Sequence, residues 1–301
     1  MNKLLTIFKS NKAQLKQQFC ELTGTAVSTA AKYLDQAKYD LARAIDNFYD
    51  KHPNKATFVV KQQPKTVKIS KELIQVFEKY QDPNDPNQID IDGTLKYLED
   101  LDVTPEDLQS LTLAFLLKAP KMGVFTKDNF LNIWQNYSVT DIASMKKFLN
   151  KFHKDLISDG GEYEDLSTGD TLTFQKMYDF TFKFSLEVEN QKLLDIDSAI
   201  EYWKLLIPVI LEKYINSQNL IDEDYSSKVN ERIAQWYTFL SDNEYFKKKA
   251  ISFDSWSMFY LFLLEVVLPD PEAFANYDEM AAWPSIVDEF IEYLRDNELL
   301  S

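Results

Sequence analysis

Cysteine is almost missing from this 301-residue chain. Cys20 is the only one, so no disulfide can form within the chain, and a reducing compartment, cytoplasm or nucleus, is expected. Histidine is nearly as scarce, with only His52 and His153. A zinc-binding ring of Cys and His ligands is thereby excluded, and no nucleophile–base spacing of a hydrolytic or transfer enzyme stands out. Six glycines leave no Gly-rich phosphate loop of the usual spacing. No apolar run reaches the length of a membrane span, so no membrane partner is expected. Leu4, Leu5, Ile7 and Phe8 make too short a stretch for a signal segment, and Asn2 and the closing Glu298-Leu-Leu-Ser301 carry no lipidation signal.

What is present is a foldable, acidic chain, 45% hydrophobic and 14% aromatic with net charge −15. The charge is uneven. Residues 1–68 hold 12 Lys/Arg against 5 Asp/Glu, whereas residues 69–301 hold 21 against 43, a balance of −22. Nucleic-acid backbones are met by Lys and Arg, so no nucleic-acid partner is expected. An acidic body favours a basic protein surface, reached by electrostatic steering.

The periodicity predicts an all-α protein. Residues 1–14 form a basic extension. Residues 15–50 read as a small three-helix bundle: Leu15, Phe19 and Leu22 mark the first helix, Ala30, Tyr33 and Leu34 the second. Asp40 caps a third, which carries Leu41, Ile45, Phe48 and Tyr49. Ala30-Ala-Lys-Tyr-Leu34 and Asp40-Leu-Ala-Arg-Ala-Ile-Asp-Asn-Phe-Tyr49 resemble the ubiquitin-associated (UBA) family, with Thr23-Gly24-Thr25 where that family usually has Met-Gly-Phe/Tyr. The resemblance implies ubiquitin or a ubiquitin-like modifier as partner of residues 15–50. Residues 51–68, basic and broken by two prolines, read as a linker, and 69–301 as a second, larger domain.

That domain shows four stretches with the spacing of EF-hand loops. Counted from Gln88, Asp90 and Asp92 fall at positions 3 and 5, Gly93 at 6, Leu95 at 8 and Glu99 at 12. A second frame runs from Lys118 through Gly123 and Phe125 to Asn129. A third runs from Leu193 to Lys204, and a fourth puts Ile251 at position 8 and Ser255 at 12. Gln88 replaces the first ligand of the first frame and the last three frames lack most ligands, so the expectation is an EF-hand-like scaffold without a tight calcium site. Ser158–Asp170, acidic and Gly-rich, is expected to separate two sublobes.

Near the end, Asn276-Tyr-Asp-Glu-Met-Ala-Ala-Trp-Pro-Ser-Ile-Val-Asp-Glu-Phe290 reads as an acidic loop feeding a helix. Pro284 fits the first turn. Ile286, Val287, Phe290, Ile291 and Leu294 form the buried stripe, and Asp288 falls off it, toward water. Ser252 caps an earlier helix whose body is Trp256, Phe259, Tyr260, Phe262, Leu263, Val266 and Val267. Asp254 lies in its first turn, where the helix dipole favours a carboxylate.

Ile91-Asp-Gly93, Leu113-Ala-Phe115, Tyr178-Asp-Phe-Thr-Phe-Lys-Phe184, Ala199-Ile-Glu-Tyr-Trp-Lys-Leu205, Ile251-Ser-Phe-Asp-Ser-Trp256 and the Tyr277–Phe290 stretch together resemble the defective-in-cullin-neddylation, or potentiating-neddylation, family over about residues 70–297. The likeness is to fungal members with a UBA-like head. The resemblance implies a non-catalytic scaffold that holds a cullin C-terminal domain and the neddylation conjugating enzyme together, with no covalent intermediate, cofactor or metal. Its cullin-binding acidic patch falls on Asp254, Ala282 and Asp288. Its apolar pocket for the acetylated N-terminus of the conjugating enzyme falls on Ile91, Leu111, Leu113, Phe125, Phe184, Tyr202 and Leu205, with Thr94 and Met122 departing from the family's usual types. Read from the residues alone, these apolar side chains belong to the core. A calcium-regulated EF-hand adaptor with a ubiquitin-binding head is the alternative.

Overall fold

The computed structural model describes Leu15, Phe19 and residues 27–51, 68–186, 188, 190–220, 222–242, 246 and 250–300. The chain divides into two compact units, Met1–Lys68 and Ile69–Ser301.

In the first unit, α1 (Val27–Gln36) packs on α2 (Leu41–Lys51), and Leu15 and Phe19 are helical. Asp40 caps α2 by accepting from the Arg43 amide at 3.1 Å. Phe19, Ala30, Tyr33, Leu34, Ala37, Ala44 and Phe48 form its core. Phe48 meets Phe19 and Tyr33 edge-on at 5.8 and 5.3 Å between ring centres. The expected first loop at Thr23–Thr25, Cys20 and most of the linker lie outside the described residues.

The second unit is helical with two short strand pairs. Its order is α3 (Lys71–Tyr80), β1 (Gln88–Ile89), α4 (Ile91–Asp100), α5 (Leu108–Leu116), β2 (Phe125–Thr126), α6 (Lys127–Asn136), α7 (Ile142–Ser158) and α8 (Phe174–Phe184). β3 (Leu193–Asp195), α9 (Ile196–Gln218), α10 (Glu223–Ser241), β4 (Ala250–Ser252), α11 (Phe253–Phe262) and α12 (Ser285–Asp296) follow. α11 runs on as a π-helical turn, Leu263–Val267. Side chains start many helices: Ser70, Asp90, Asp141, Thr173, Asp195 and Ser252 each accept from the amide three residues on.

The strands join helix–loop–helix units in pairs. β1 pairs antiparallel with β2, Ile89 opposite Phe125, and β3 with β4, Leu194 opposite Ile251. Phe125 and Ile251 stand where the second and fourth loop frames put an apolar residue. The first and third frames are wrong by six residues. Their paired residues are Ile89 and Leu194, not Leu95 and Ile200, which lie inside α4 and α9. The Asp-x-Asp pairs that those frames set in loop positions are helix starts. Asp90 and Asp195 are caps, accepting from the Gly93 and Ser198 amides at 2.9 Å, and Asp92 and Asp197 sit in the first turns. Gln88 donates its side-chain amide to Asp82 at 3.0 Å.

One continuous core runs from Leu73 to Leu294. Its centre is a polar clasp among aromatics. Trp203 Nε1 donates to the Tyr178 hydroxyl at 2.8 Å, and that hydroxyl donates to the Trp256 carbonyl at 2.8 Å. Trp256 Nε1 returns a bond to the Tyr178 carbonyl at 2.9 Å. The Trp203 and Trp256 rings stack 5.0 Å apart. The clasp fixes α8, α9 and α11 to one another. The loop expected to separate sublobes does not isolate them, because α8, which follows it, packs on both α5 and α11.

Candidate functional site

Asp254, Ala282 and Asp288 lie on and beside two helices packed against each other, α11 and α12. Ser252 Oγ accepts from the Ser255 amide at 3.1 Å and starts α11, which leaves the Asp254 carboxylate exposed in the first turn. Beside it, the Lys183 ammonium stands 5.8 Å over the Phe253 ring. Pro284 stands at the N-cap of α12, one residue ahead of the expected first turn. The stripe Ile286, Val287, Phe290, Ile291 and Leu294 is buried as expected.

Asp288 differs from expectation. It is half-buried rather than turned freely to water, because the Tyr277 hydroxyl donates to its Oδ1 at 2.6 Å. Burial first, and then the Asp288 carboxylate, push the Tyr277 phenol well above its ordinary range. The loop between Tyr277 and α12 is held at three further points. The Asp278 carboxylate accepts from the Met280 amide at 2.8 Å, Glu279 pairs with Arg295 at 2.8 Å, and the Trp283 ring meets Phe262 edge-on at 5.8 Å. Ala281 and Ala282 are exposed between these anchors, and Met280 is 91% exposed. Tyr277 and the Glu279–Arg295 pair are the supporting residues that the sequence did not reveal. Their partners lie 11 and 16 residues away, beyond any helical or strand period.

The seven apolar candidates spread over α4, α5, β2, α8 and α9. Leu111, Leu113, Phe125 and Phe184 are buried in the core, Tyr202 and Leu205 are half-buried at its edge, and Ile91 is 52% exposed. α5 packs on α8, where Phe115 meets Phe180 at 5.5 Å and Phe180 stacks on Phe184 at 5.4 Å. Ile91 lies against Gly123: a Cβ there would come 2.4 Å from Ile91 Cδ1, and the glycine has φ +70°. Thr94 is buried and donates its hydroxyl to the Gly123 carbonyl at 3.0 Å, while Met122 is 62% exposed. The structure thus offers Ile91 and Met122 at the surface and places most of the other candidates beneath it, as core.

Among the described residues no group of three or more His, Cys, Asp or Glu is arranged to hold a metal ion, and no helix is long and apolar enough to cross a membrane.

This geometry meets the comparisons with known proteins at the C-terminal helices. The cullin-binding family model matches residues 144–293, a span holding Asp254, Ala282 and Asp288, and the UBA-like domain model matches residues 14–55. The class is therefore a mostly helical protein with a UBA-like head and a cullin-binding body. Along almost its whole length the chain is 59% identical to Defective in cullin neddylation protein 1 of Candida albicans, covering 97% of this chain and all of the relative. The protein of that name from Yarrowia lipolytica is 31% identical over 74% of this chain and 77% of its own length. The one from Saccharomyces cerevisiae is 29% identical over 99% of each. The chain belongs to the defective-in-cullin-neddylation protein 1 family.

Proposed function

We propose that this protein promotes cullin neddylation as a scaffold. Asp254, Ala282 and Asp288 hold basic side chains of a cullin C-terminal domain. Ile91, with Leu111, Leu113, Phe125, Phe184, Tyr202 and Leu205 behind and beside it, receives the acetylated N-terminus of the neddylation conjugating enzyme. No covalent intermediate forms on this chain. The gain is effective concentration and orientation of the modifier's thioester toward the cullin lysine. The UBA-like head takes ubiquitin or a ubiquitin-like modifier, and the protein works inside the cell.

The observation that carries this reading is the exposed Asp254 and Ala282 beside a Tyr277-oriented Asp288, on two packed helices inside the stretch matched as cullin binding. A carboxylate held in place loses less freedom on binding than a mobile one. Exposed Ala282 leaves room for a long basic side chain beside it.

The test is the affinity of a cullin C-terminal domain for Asp254→Lys, Ala282→Arg and the Asp254→Lys/Asp288→Lys double variant. Loss of a central contact is expected to cost roughly 2 kcal/mol or more, growing weaker in wild type as salt is added. Unchanged affinity in a well-folded double variant places the cullin site elsewhere.

A further inference from the structure

The acidic body carries a basic face that the cullin reading does not use. Ala143, Lys146, Lys147, Asn150, Lys151 and Lys154 line a shallow groove of about 360 Å³ along α7. The other side of the helix, Met145, Leu149, Phe152 and Leu156, is buried. Lys146 is paired with Asp102, and the Asn150 side-chain oxygen accepts from Gln109 Nε2 at 2.7 Å. Lys147, Lys151 and Lys154 are exposed and have neither an ion-pair nor a hydrogen-bond partner among the described residues. Spaced four and three residues apart, they form one ridge roughly 10 Å long. The only acid on α7, Asp155, is buried and accepts from the Glu162 amide. Like charges at this spacing weaken a helix, and nothing on α7 offsets them.

We propose that the Lys147–Lys151–Lys154 ridge, with Asn150 held between its side chains, docks a short acidic segment of a partner protein. The charge is complementary to carboxylates repeating one helical turn apart. The length of the ridge limits the ligand. Asp141, the N-cap of α7, closes the basic stretch at its start, and at its end the Asp159 carboxylate is taken up by Lys213 and the Phe174 amide. The surrounding domain, residues 69–301, has a balance of −22. A nucleic-acid strand or a lipid surface extends past the ridge, toward Asp141 and over a domain of that balance, whereas a segment of a few residues does not. The ridge lies on α7, apart from Asp254 and Asp288, so this inference stands whether or not those residues bind a cullin.

The probe is a short, fluorescently labelled helical peptide with Glu at matching spacing, titrated against the full chain, with the same peptide carrying Gln for Glu as control. The Glu peptide is expected to bind and the Gln peptide not, with affinity falling as salt rises. The triple variant Lys147→Glu/Lys151→Glu/Lys154→Glu, its fold checked by circular dichroism, is expected to lose about tenfold or more, the sum of three exposed ion pairs. Lys146→Gln, which removes a lysine already paired with Asp102, is expected to change little. Zero-length carboxyl–amine crosslinking is expected to join the Glu peptide to Lys147, Lys151 or Lys154. Equal binding of the Glu and Gln peptides, full retention in the triple variant, or crosslinks confined to other lysines overturns the proposal. So does binding of a single-stranded oligonucleotide or of phosphatidylserine vesicles that is tighter than that of the Glu peptide and is lost in the triple variant.

Discussion

The Tyr277 hydroxyl donates to Asp288 Oδ1 at 2.6 Å, across eleven residues of sequence. This bond ties the loop carrying Ala281 and Ala282 to the first turn of α12 and aims one carboxylate oxygen, leaving the other for the proposed cullin contact. Tyr277→Phe removes the bond and keeps the ring. It is expected to weaken cullin binding by about 1 kcal/mol, the net worth of one such hydrogen bond, without the larger loss expected of charge reversal at Asp288. Calorimetric titration with a cullin C-terminal domain measures it, and unchanged affinity means that the orientation of Asp288 is immaterial.

The proposed apolar site makes a prediction about charge. A free N-terminal amine is costly to bury, and acetylation removes it. A peptide with an acetylated N-terminal Met is expected to bind more tightly than its free-amine counterpart, the methionine contributing about 1.5–3 kcal/mol when fully buried. Ile91→Asp is expected to weaken the acetylated peptide while leaving cullin affinity in place. Equal affinity of the two peptides counts against the site.

Gly93 lies inside α4 with its backbone against the preceding helix. A Cβ there would come 1.9 Å from the Tyr80 carbonyl oxygen and 2.8 Å from Ile89 Cγ2. Because the nearest obstacle is backbone, it cannot turn aside as a side chain does. Gly93→Ala is expected to destabilise the second unit by about 1–3 kcal/mol or more, despite alanine's better helix propensity. A urea midpoint equal to wild type contradicts the close approach.

The same glycine bears on calcium. In the frame set by the strand pairing, β1 puts Ile89 at position 8 and so Gly93 at position 12, where a calcium loop needs a bidentate Glu. Gln88 is engaged with Asp82. Calorimetry is expected to find no stoichiometric calcium binding at micromolar affinity. A clear isotherm revives the adaptor reading.

His153 gives a pH dependence. Its Nδ1 lies 2.9 Å from Thr112 Oγ1, and burial lowers its pKa below the ordinary 6.5. The folded state therefore resists a proton that the unfolded chain accepts. The contribution of neutral His153 is fully present above pH 6.5 and is lost as pH falls through that value toward the lower folded pKa. Urea midpoints between pH 7.5 and 5.5 (spanning that value) are expected to drop more steeply for wild type than for His153→Gln. Parallel curves assign the acid sensitivity to other groups.

The helices were legible in the sequence because their apolar stripes and caps are local. Asp40 and Ser252 start helices where their side-chain chemistry places them, and Ile286–Leu294 buries its stripe. The register of two loops was not legible, and the reason is physical. Asp90-x-Asp92 and Asp195-x-Asp197 satisfy the electrostatics of a helix start as well as the spacing of calcium ligands. Only the strand pairing, Ile89 with Phe125 and Leu194 with Ile251, distinguishes them. The candidate acidic patch rests on residue types in a family pattern, whereas Tyr277, which orients Asp288, depends on how a loop returns to a distant helix. For the apolar candidates the pattern of types did not separate surface from core, and burial divides Ile91 from Leu113.

The clasp of Tyr178, Trp203 and Trp256 reaches further than the core it fills. α8 carries Phe184, α9 carries Tyr202 and Leu205, and α11 carries Asp254 in its first turn. Three directional bonds and a stacked ring pair leave these helices little freedom to slide or rotate. The molecule is therefore a jig: whatever is seated at one of the proposed faces has its distance and angle to the other set in advance. Neither partner has to signal its arrival. On the proposed function, coordination between them arises from this fixed spacing.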